Sequence, residues 1–198
     1  KSIPLKLQGS GFPEDFEIRG EVIMPKAEFE KMNRERRENG EAEFANPRNA
    51  TSGTLKLQNA SIVAKRPLDC LLYYIPDEIE SINTHFDSLE KAKNWGFKVP
   101  PYNTLARSLE EVFQFIDKWD AARDELPFEI DGAVIKVNAI SQQRDLGFTA
   151  KTPRWAISYK YKAEQAVSTL LSVDFQVGRT GAVTPVANPQ PAHIPGIT

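Results

Sequence analysis

Phe16–Ile23 alternates apolar and polar positions, the period of a strand with one face buried. Phe16, Ile18, Gly20 and Val22 hold the apolar parity, and Glu17, Arg19 and Glu21 hold the polar one. Pro25 suits the first turn of a helix that runs through Phe29 and Met32 and stops at Asn39-Gly40. Asp87-Ser88-Leu89-Glu90 reads as a capping-box variant opening a short helix that ends at Gly96. Ser108-Leu109-Glu110-Glu111 is a cleaner box, followed by Val112, Phe113, Ile116 and Trp119 at helical spacing. After Pro127, residues 128–138 predict a strand rich in Val and Ile. Residues 155–161 predict another, with Trp155, Ile157, Tyr159 and Tyr161 on one face. Helices and strands mix without a regular strand–helix–strand repeat, which favours an α+β fold over a doubly wound sheet.

Composition narrows the class. The chain has 198 residues, 40% of them hydrophobic and 26% charged, which is ordinary globular composition. A net charge of −2 excludes nucleic-acid binding through bulk charge alone. One cysteine excludes a disulfide framework and a cysteine-built zinc site within these residues. The longest apolar run, Cys70–Ile75, is far short of a bilayer span, and no signal-peptide pattern opens the chain. The first residue is Lys1 rather than Met, so the chain is expected to be a piece of something longer. Charge is uneven along it: residues 131–164 hold six basic and three acidic side chains, a balance of +3. Beyond them only Asp174 and Arg179 are charged, so a domain boundary is expected near Gln165–Ser168.

Several placements invite a chemical reading, each beside a plainer one. Ala156, Ser158, Lys160 and Lys162 share one face of their strand, where small neighbours leave a lysine room to reach a ligand; on the pattern alone the preferred reading is an exposed lysine on a solvated sheet face. Asp131 and Lys136 are five apart, which puts them on opposite faces of a regular strand unless Gly132 hosts a bulge; otherwise they are a turn residue and an edge-strand charge. Phe44–Thr54 surrounds Arg48 with Asn, Ser, Thr and Gly donors suited to phosphate contact, or is a capped loop entering a short helix. It lacks Walker spacing. Asn33–Arg37 interleaves Arg with Glu and reads as a solvated helix face. His85 and His193 are far apart, which argues against a histidine metal site or a Ser-His-Asp nucleophile, and Cys70 reads as a packed thiol.

Five of these stretches, in order, carry a family resemblance. Ile18–Val22, Phe44–Ala50, Glu129–Asn138 and Pro153–Tyr161 closely resemble the adenylation domain of bacterial NAD-dependent DNA ligase, and Val177–Ala187 resembles the opening of that family's OB-fold. The resemblance implies an ATP-grasp-like nucleotidyltransferase core of the DNA ligase and mRNA capping type, built on antiparallel sheets. That core would span residues 1–165, with the first strands of an OB-fold in 166–198. It implies that NAD donates an adenylyl group to a lysine with release of nicotinamide mononucleotide. The AMP then passes to the 5′-phosphate of nicked duplex DNA, and the nick is sealed.

By the same resemblance Glu21 contacts the adenosine ribose, and Lys136 and Lys160 lie near the reacting phosphate. Asp131 steers Mg²⁺ (or Mn²⁺) through waters, or steers the incoming lysine. Arg48, Lys56, Arg123 and Arg154 are implied as DNA or phosphate contacts, with Lys standing at position 56 where the family more often has Arg. The family's nucleophile lies in a Lys-x-Asp-Gly motif, which is absent here because Glu129-Ile130 precedes Asp131-Gly132. The chain alone is therefore expected not to become adenylated. Zn²⁺ belongs to a four-cysteine module of the family that these residues do not contain. The resemblance further implies a cytoplasmic bacterial protein, monomeric and away from membranes. Two readings stay open beside it: an ATP- or GTP-dependent nucleotidyltransferase, and a non-catalytic DNA-binding module on the same scaffold.

Overall fold

A computed structural model describes residues 2–162 and 167–191. His193 and Gln165, and with Gln165 the expected boundary, fall outside the described residues. The chain separates into two compact units, Lys1–Tyr161 and Lys162–Thr198.

Among the described residues the first unit contains two antiparallel ribbons and six α-helices. Strand β1 (Arg19–Ile23) is followed by α1 (Lys26–Glu38), α2 (Pro47–Leu55) and α3 (Ala60–Lys65), and then by β2 (Asp69–Tyr74). After β2 come α4 (His85–Asn94), α5 (Leu109–Ala122) and a 3₁₀ turn, η1 (Arg123–Glu125). Strand β3 (Gly132–Lys136), helix α6 (Ile140–Leu146) and strand β4 (Ala156–Lys160) complete it. β1 pairs with β2, and β3 with β4, both antiparallel, so the mixed α and β class expected from the sequence is present. In the second unit β5 (Leu170–Val177) and β6 (Val183–Pro189) form an antiparallel hairpin. Gly178 and Gly181 close its turn, with Gly181 at a φ of +81° that suits glycine.

The alternation read from the sequence sets the faces of β1. Val22 packs with Cys70, Leu72 and Ile75 of β2 and its exit against Trp95, Ala92 and Phe97, while Glu21 is exposed. Trp95 is 1% exposed. A second cluster, Met24, Met32 and Ala50 with Phe29 and Phe44, joins α1 to α2. The strand is shorter than 16–23: its pairing shifts between Arg19 and Gly20, and the Glu17 N–H is taken by the Asp77 carboxylate instead of a ladder partner. Phe16 and Ile18 still pack against the core.

Caps fix the helices, with two corrections. α4 begins at His85 because Thr84, not Asp87, is its N-cap and accepts from the Asp87 N–H at 3.1 Å. In α5 Ser108 caps as expected, but Phe113 is exposed and Phe115 turns inward onto Trp119. α2 confirms the plainer reading of its stretch. Asn46 accepts from the Asn49 N–H, Pro47 takes the first turn, and Thr51 and Thr54 donate back to the carbonyls of Pro47 and Ala50. Buried Asn33 clasps both the N–H and the C=O of Phe44 at 2.9 Å, which hangs that stretch from α1.

The β3–β4 ribbon corrects the expectation of a bulge. Its register runs without a break from Gly132↔Lys160 to Lys136↔Ala156, so Gly132 hosts no bulge. It is glycine for closeness: a Cβ there would lie 2.0 Å from the Tyr159 carbonyl oxygen. Residues 128–131 consequently precede the strand. Trp155 and Tyr161, which flank β4, are buried, whereas Ile157 is 68% and Tyr159 45% exposed, because a two-stranded ribbon covers little of either face.

Candidate active site

Lys136 is the last residue of β3, and two features carry its side chain inward. The regular ribbon sets its face, and the segment after it is tied to α4. The first N–H groups of a helix lack partners within it. Here the His85 N–H donates to the Asn138 carbonyl at 2.7 Å and the Phe86 N–H to the Asn138 side-chain oxygen at 2.9 Å. A bridge between Thr84 and Ala139, and a bond from the Ile140 N–H to the Asn83 carbonyl, extend this seam.

The Lys136 ammonium donates to the Tyr73 carbonyl at 3.1 Å and meets His85 Nε2 at 3.3 Å. It lies 4.9 Å from the centroid of the Tyr73 ring, and His85 in turn stacks on Tyr74. Burial lowers the ammonium from its ordinary 10.5 to about 8. His85 falls from 6.5 to about 4, first through burial and then through the neighbouring Lys136 charge, so at neutral pH its ring is uncharged and able to accept. Two of the three N–H groups of Lys136 are thus engaged among the described residues.

The other predicted residues fall into groups. Gly132, Val134 and Lys136 share a ribbon face with Lys160, Ser158 and Ala156, so Lys136 and Lys160 lie on one side of one ribbon, Lys160 exposed. Glu21 stands on the neighbouring ribbon opposite Leu71, on the strand that pairs with the one Lys136 contacts. In the same row as Glu21, Ile23, Asp69 and Leu71 join Tyr102 and Phe128 around an apolar recess of about 220 Å³.

Asp131 and Arg48 come together from distant parts of the chain, 3.8 Å apart and both exposed. The Tyr161 N–H donates to the Asp131 carbonyl, and the charge of Arg123 acts on the Tyr161 phenol. Lys56 is the C-cap of α2, eight residues beyond Arg48, and Arg154 is exposed just before β4. Among the described residues no three His, Cys, Asp or Glu side chains gather to hold a metal, and no helix is long and apolar enough to cross a membrane.

His85 and Tyr73 are neighbours of Lys136 that the sequence did not announce. The tandem Tyr73-Tyr74 at the end of a strand was visible. The partnership of His85 with Lys136 crosses 51 positions and follows no local motif.

Comparison with known proteins adds the rest. A family model described as "NAD-dependent DNA ligase adenylation domain" matches residues 1–164. The chain is 58% identical over 196 residues to a DNA ligase of Flavobacterium johnsoniae, covering 99% of this chain and 29% of that protein. It is 55% identical to a DNA ligase of Parabacteroides distasonis, over 99% of this chain and 30% of that protein. With a DNA ligase of Cytophaga hutchinsonii it shares 52% over its whole length, again 30% of the relative. The chain therefore spans about 30% of the length of the curated relatives it matches.

Proposed function

The chain belongs to the NAD-dependent DNA ligase adenylation-domain family, and from that premise we propose that it is the phosphate-facing part of a nucleotidyltransferase core that adenylates with NAD and serves nick sealing in duplex DNA. The reading includes an OB-fold opening in the β5–β6 hairpin and a monomeric, cytoplasmic enzyme.

One observation carries it: the half-buried Lys136, anchored by two acceptors, on the same ribbon face as Lys160. Apart from the attacking lysine, nucleotidyl transfer asks the protein chiefly for position and charge. It gains from positive charge held in place where phosphate charge accumulates. When bound, the dinucleotide supplies an adenylyl phosphorus as electrophile and nicotinamide mononucleotide as leaving group.

What this chain's own residues do follows from their places. Lys136 fits a phosphate oxygen because its anchors restrict the ammonium before any ligand arrives, which reduces the entropy lost on binding. Lys160, exposed and free to swing, meets the same phosphate from along the ribbon. Glu21 accepts from ribose hydroxyls, and the apolar recess in its row offers a dry surface beside the nucleoside. Arg48 and Asp131 face each other, both exposed, and are assigned to the edge of the site. A lone carboxylate beside a guanidinium fits a Mg²⁺ held mainly by phosphate oxygens and water, not a protein-built cage. Arg123, Lys56 and Arg154 are assigned to DNA phosphate.

The test is adenylation. Full-length ligase carrying this sequence, incubated with labelled NAD and Mg²⁺, should form a protein–AMP adduct, and Lys136→Ala should slow it about 100-fold or more, the usual loss for one preorganised donor. The 198-residue chain, without Lys-x-Asp-Gly, should form none. A Lys136→Ala enzyme at wild-type rate would sink the site; a labelled chain would sink the claim that the nucleophile lies elsewhere.

A further inference from the structure

Lys136 alone does not determine where its ammonium points. Its four-carbon stem has several rotamers, and the Tyr73 carbonyl restrains only one of three N–H groups. The second restraint is His85, whose Nε2 faces the ammonium at 3.3 Å. We propose that His85 is a positioning residue for Lys136, a neutral acceptor that aims the remaining ammonium N–H at the nucleotide phosphate. This rests on the reading of Lys136 given above and deepens it.

Three features of the fold support it. The imidazole cannot drift, because it stacks on Tyr74 at 6.1 Å and its own backbone N–H is bonded to the Asn138 carbonyl. Asn138 lies two residues after Lys136, so the strand that carries the lysine also holds the histidine. The imidazole is also in the state the role requires. With Nε2 accepting, the proton sits on Nδ1, and burial together with the adjacent ammonium keeps the second proton off.

The groups facing the pair are few. Tyr73 and Tyr74 come from β2, and Lys136 from β3 is the cation nearest the ring. Glu17, Arg19 and Asp77 act on the Tyr74 phenol. No carboxylate contributes to the perturbation of either His85 or Lys136, so the charge state at this corner is set by burial and by the pair itself. A histidine kept only for packing has no reason to turn its acceptor nitrogen onto an ammonium.

The experiment uses full-length ligase carrying this sequence, with single-turnover formation of enzyme–AMP from labelled NAD followed against NAD concentration and pH. His85→Phe keeps a ring on Tyr74 without an acceptor; His85→Leu removes ring and acceptor; His85→Gln keeps an acceptor oxygen at similar reach. The maximal rate should fall about tenfold in His85→Phe and His85→Leu, the scale on which a supporting contact acts, while the NAD concentration at half-maximal rate changes less than about threefold. In His85→Phe the basic limb of the pH profile should move to lower pH, because the charged lysine has lost a partner without gaining water. His85→Gln should stay within about threefold of wild type with its basic limb in place.

Lys136→Ala is run alongside. If it loses activity while folded His85→Phe keeps the wild-type rate and pH profile, the positioning role is wrong and the site reading survives. If Lys136→Ala is itself active, the site reading has failed. Should His85→Phe and His85→Leu both misfold, His85→Gln decides the matter, since a folded His85→Gln with a tenfold loss or a displaced limb overturns the proposal.

Discussion

Replacing Lys136 by Met should stabilise the fold near neutral pH, and the gain should shrink as the solution is made basic. Met has nearly the volume of the lysine stem and no charge to desolvate. In the folded chain the ammonium titrates at about 8, against an ordinary 10.5. At about 1.4 kcal/mol for each tenfold change in the proton equilibrium, that fall corresponds to about 3 kcal/mol against folding while the lysine is charged. Partial contact with water and snorkelling of the stem reduce the figure to about 2–3 kcal/mol.

Removing the donor also leaves the Tyr73 carbonyl and His85 Nε2 short of a partner, which costs about 1 kcal/mol. The net expectation at pH 7 is a gain of about 1–2 kcal/mol. The sign with pH follows from proton counts. Between pH 8 and 10.5 the unfolded chain holds the proton that the folded chain has released, so wild-type stability rises through that window. The Met variant has no such rise. Cys70, Tyr74 and Tyr161, all raised by burial, pull the opposite way at basic pH, but they are common to both proteins and cancel in the difference. Urea unfolding followed by tryptophan fluorescence at pH 7, 8, 9 and 10 measures that difference directly. A gap between variant and wild type that stays constant from pH 7 to 10 would refute the reasoning, whatever its size.

Three more expectations concern single side chains. Wild type should lose stability as pH falls from 6.5 towards 4, by up to about 3 kcal/mol, because the unfolded chain takes a proton that folded His85 refuses; melts at pH 7 and 4.5 should show the dependence, and His85→Gln should flatten it. Gly132→Ala drives a methyl into the Tyr159 carbonyl and should cost about 2–4 kcal/mol, whereas Gly53→Ala, in open space within α2, should gain about 0.5–1 kcal/mol in the same urea titration. Asn33→Leu strips both hydrogen bonds from the Phe44 backbone and should lower stability by about 2–3 kcal/mol by thermal melt; a neutral result would mean that water replaces the clasp.

What could be read in advance was what local chemistry decides. The alternation through Val22 set the buried face of β1, and Pro25, Asn39-Gly40 and Ser108 set helix limits, because a cap or a pleat involves residues a few positions apart. Failures came where a distant partner decided. Gly132 reads as a bulge when only its own strand is considered; the Tyr159 carbonyl that forbids a side chain there belongs to β4. Trp155, Ile157, Tyr159 and Tyr161 were placed on one face by alternation, but how far that face is covered could not be read, because their ribbon has only two strands to shelter it. The start of α4 is the exception: Thr84 caps it through the Asp87 N–H, a local signal three positions long that the Asp87–Glu90 reading missed, and Asn138 only adds to it. At the site, Lys136 and Lys160 were recognisable as a pair on resemblance alone. Arg48 with Asp131, and His85 with Lys136, could be seen only once the chain was folded.

The double grip of Asn138 on α4 also says where the chain can change length. One residue added at Val137 would leave Lys136 in register with β4 but carry Asn138 out of step with α4, loosening the grip that keeps His85 against the lysine. The exposed turn at Glu80-Ser81 stands differently, although it leads directly into α4. The helix start is gripped by Asn138 and not by the turn that precedes it, so extra residues there should bulge outward and leave the lysine–histidine contact as it was. Grafts, tags or reporter insertions thus have a permissive door at Glu80-Ser81 and a forbidden one at Val137, fewer than 60 positions apart along the chain.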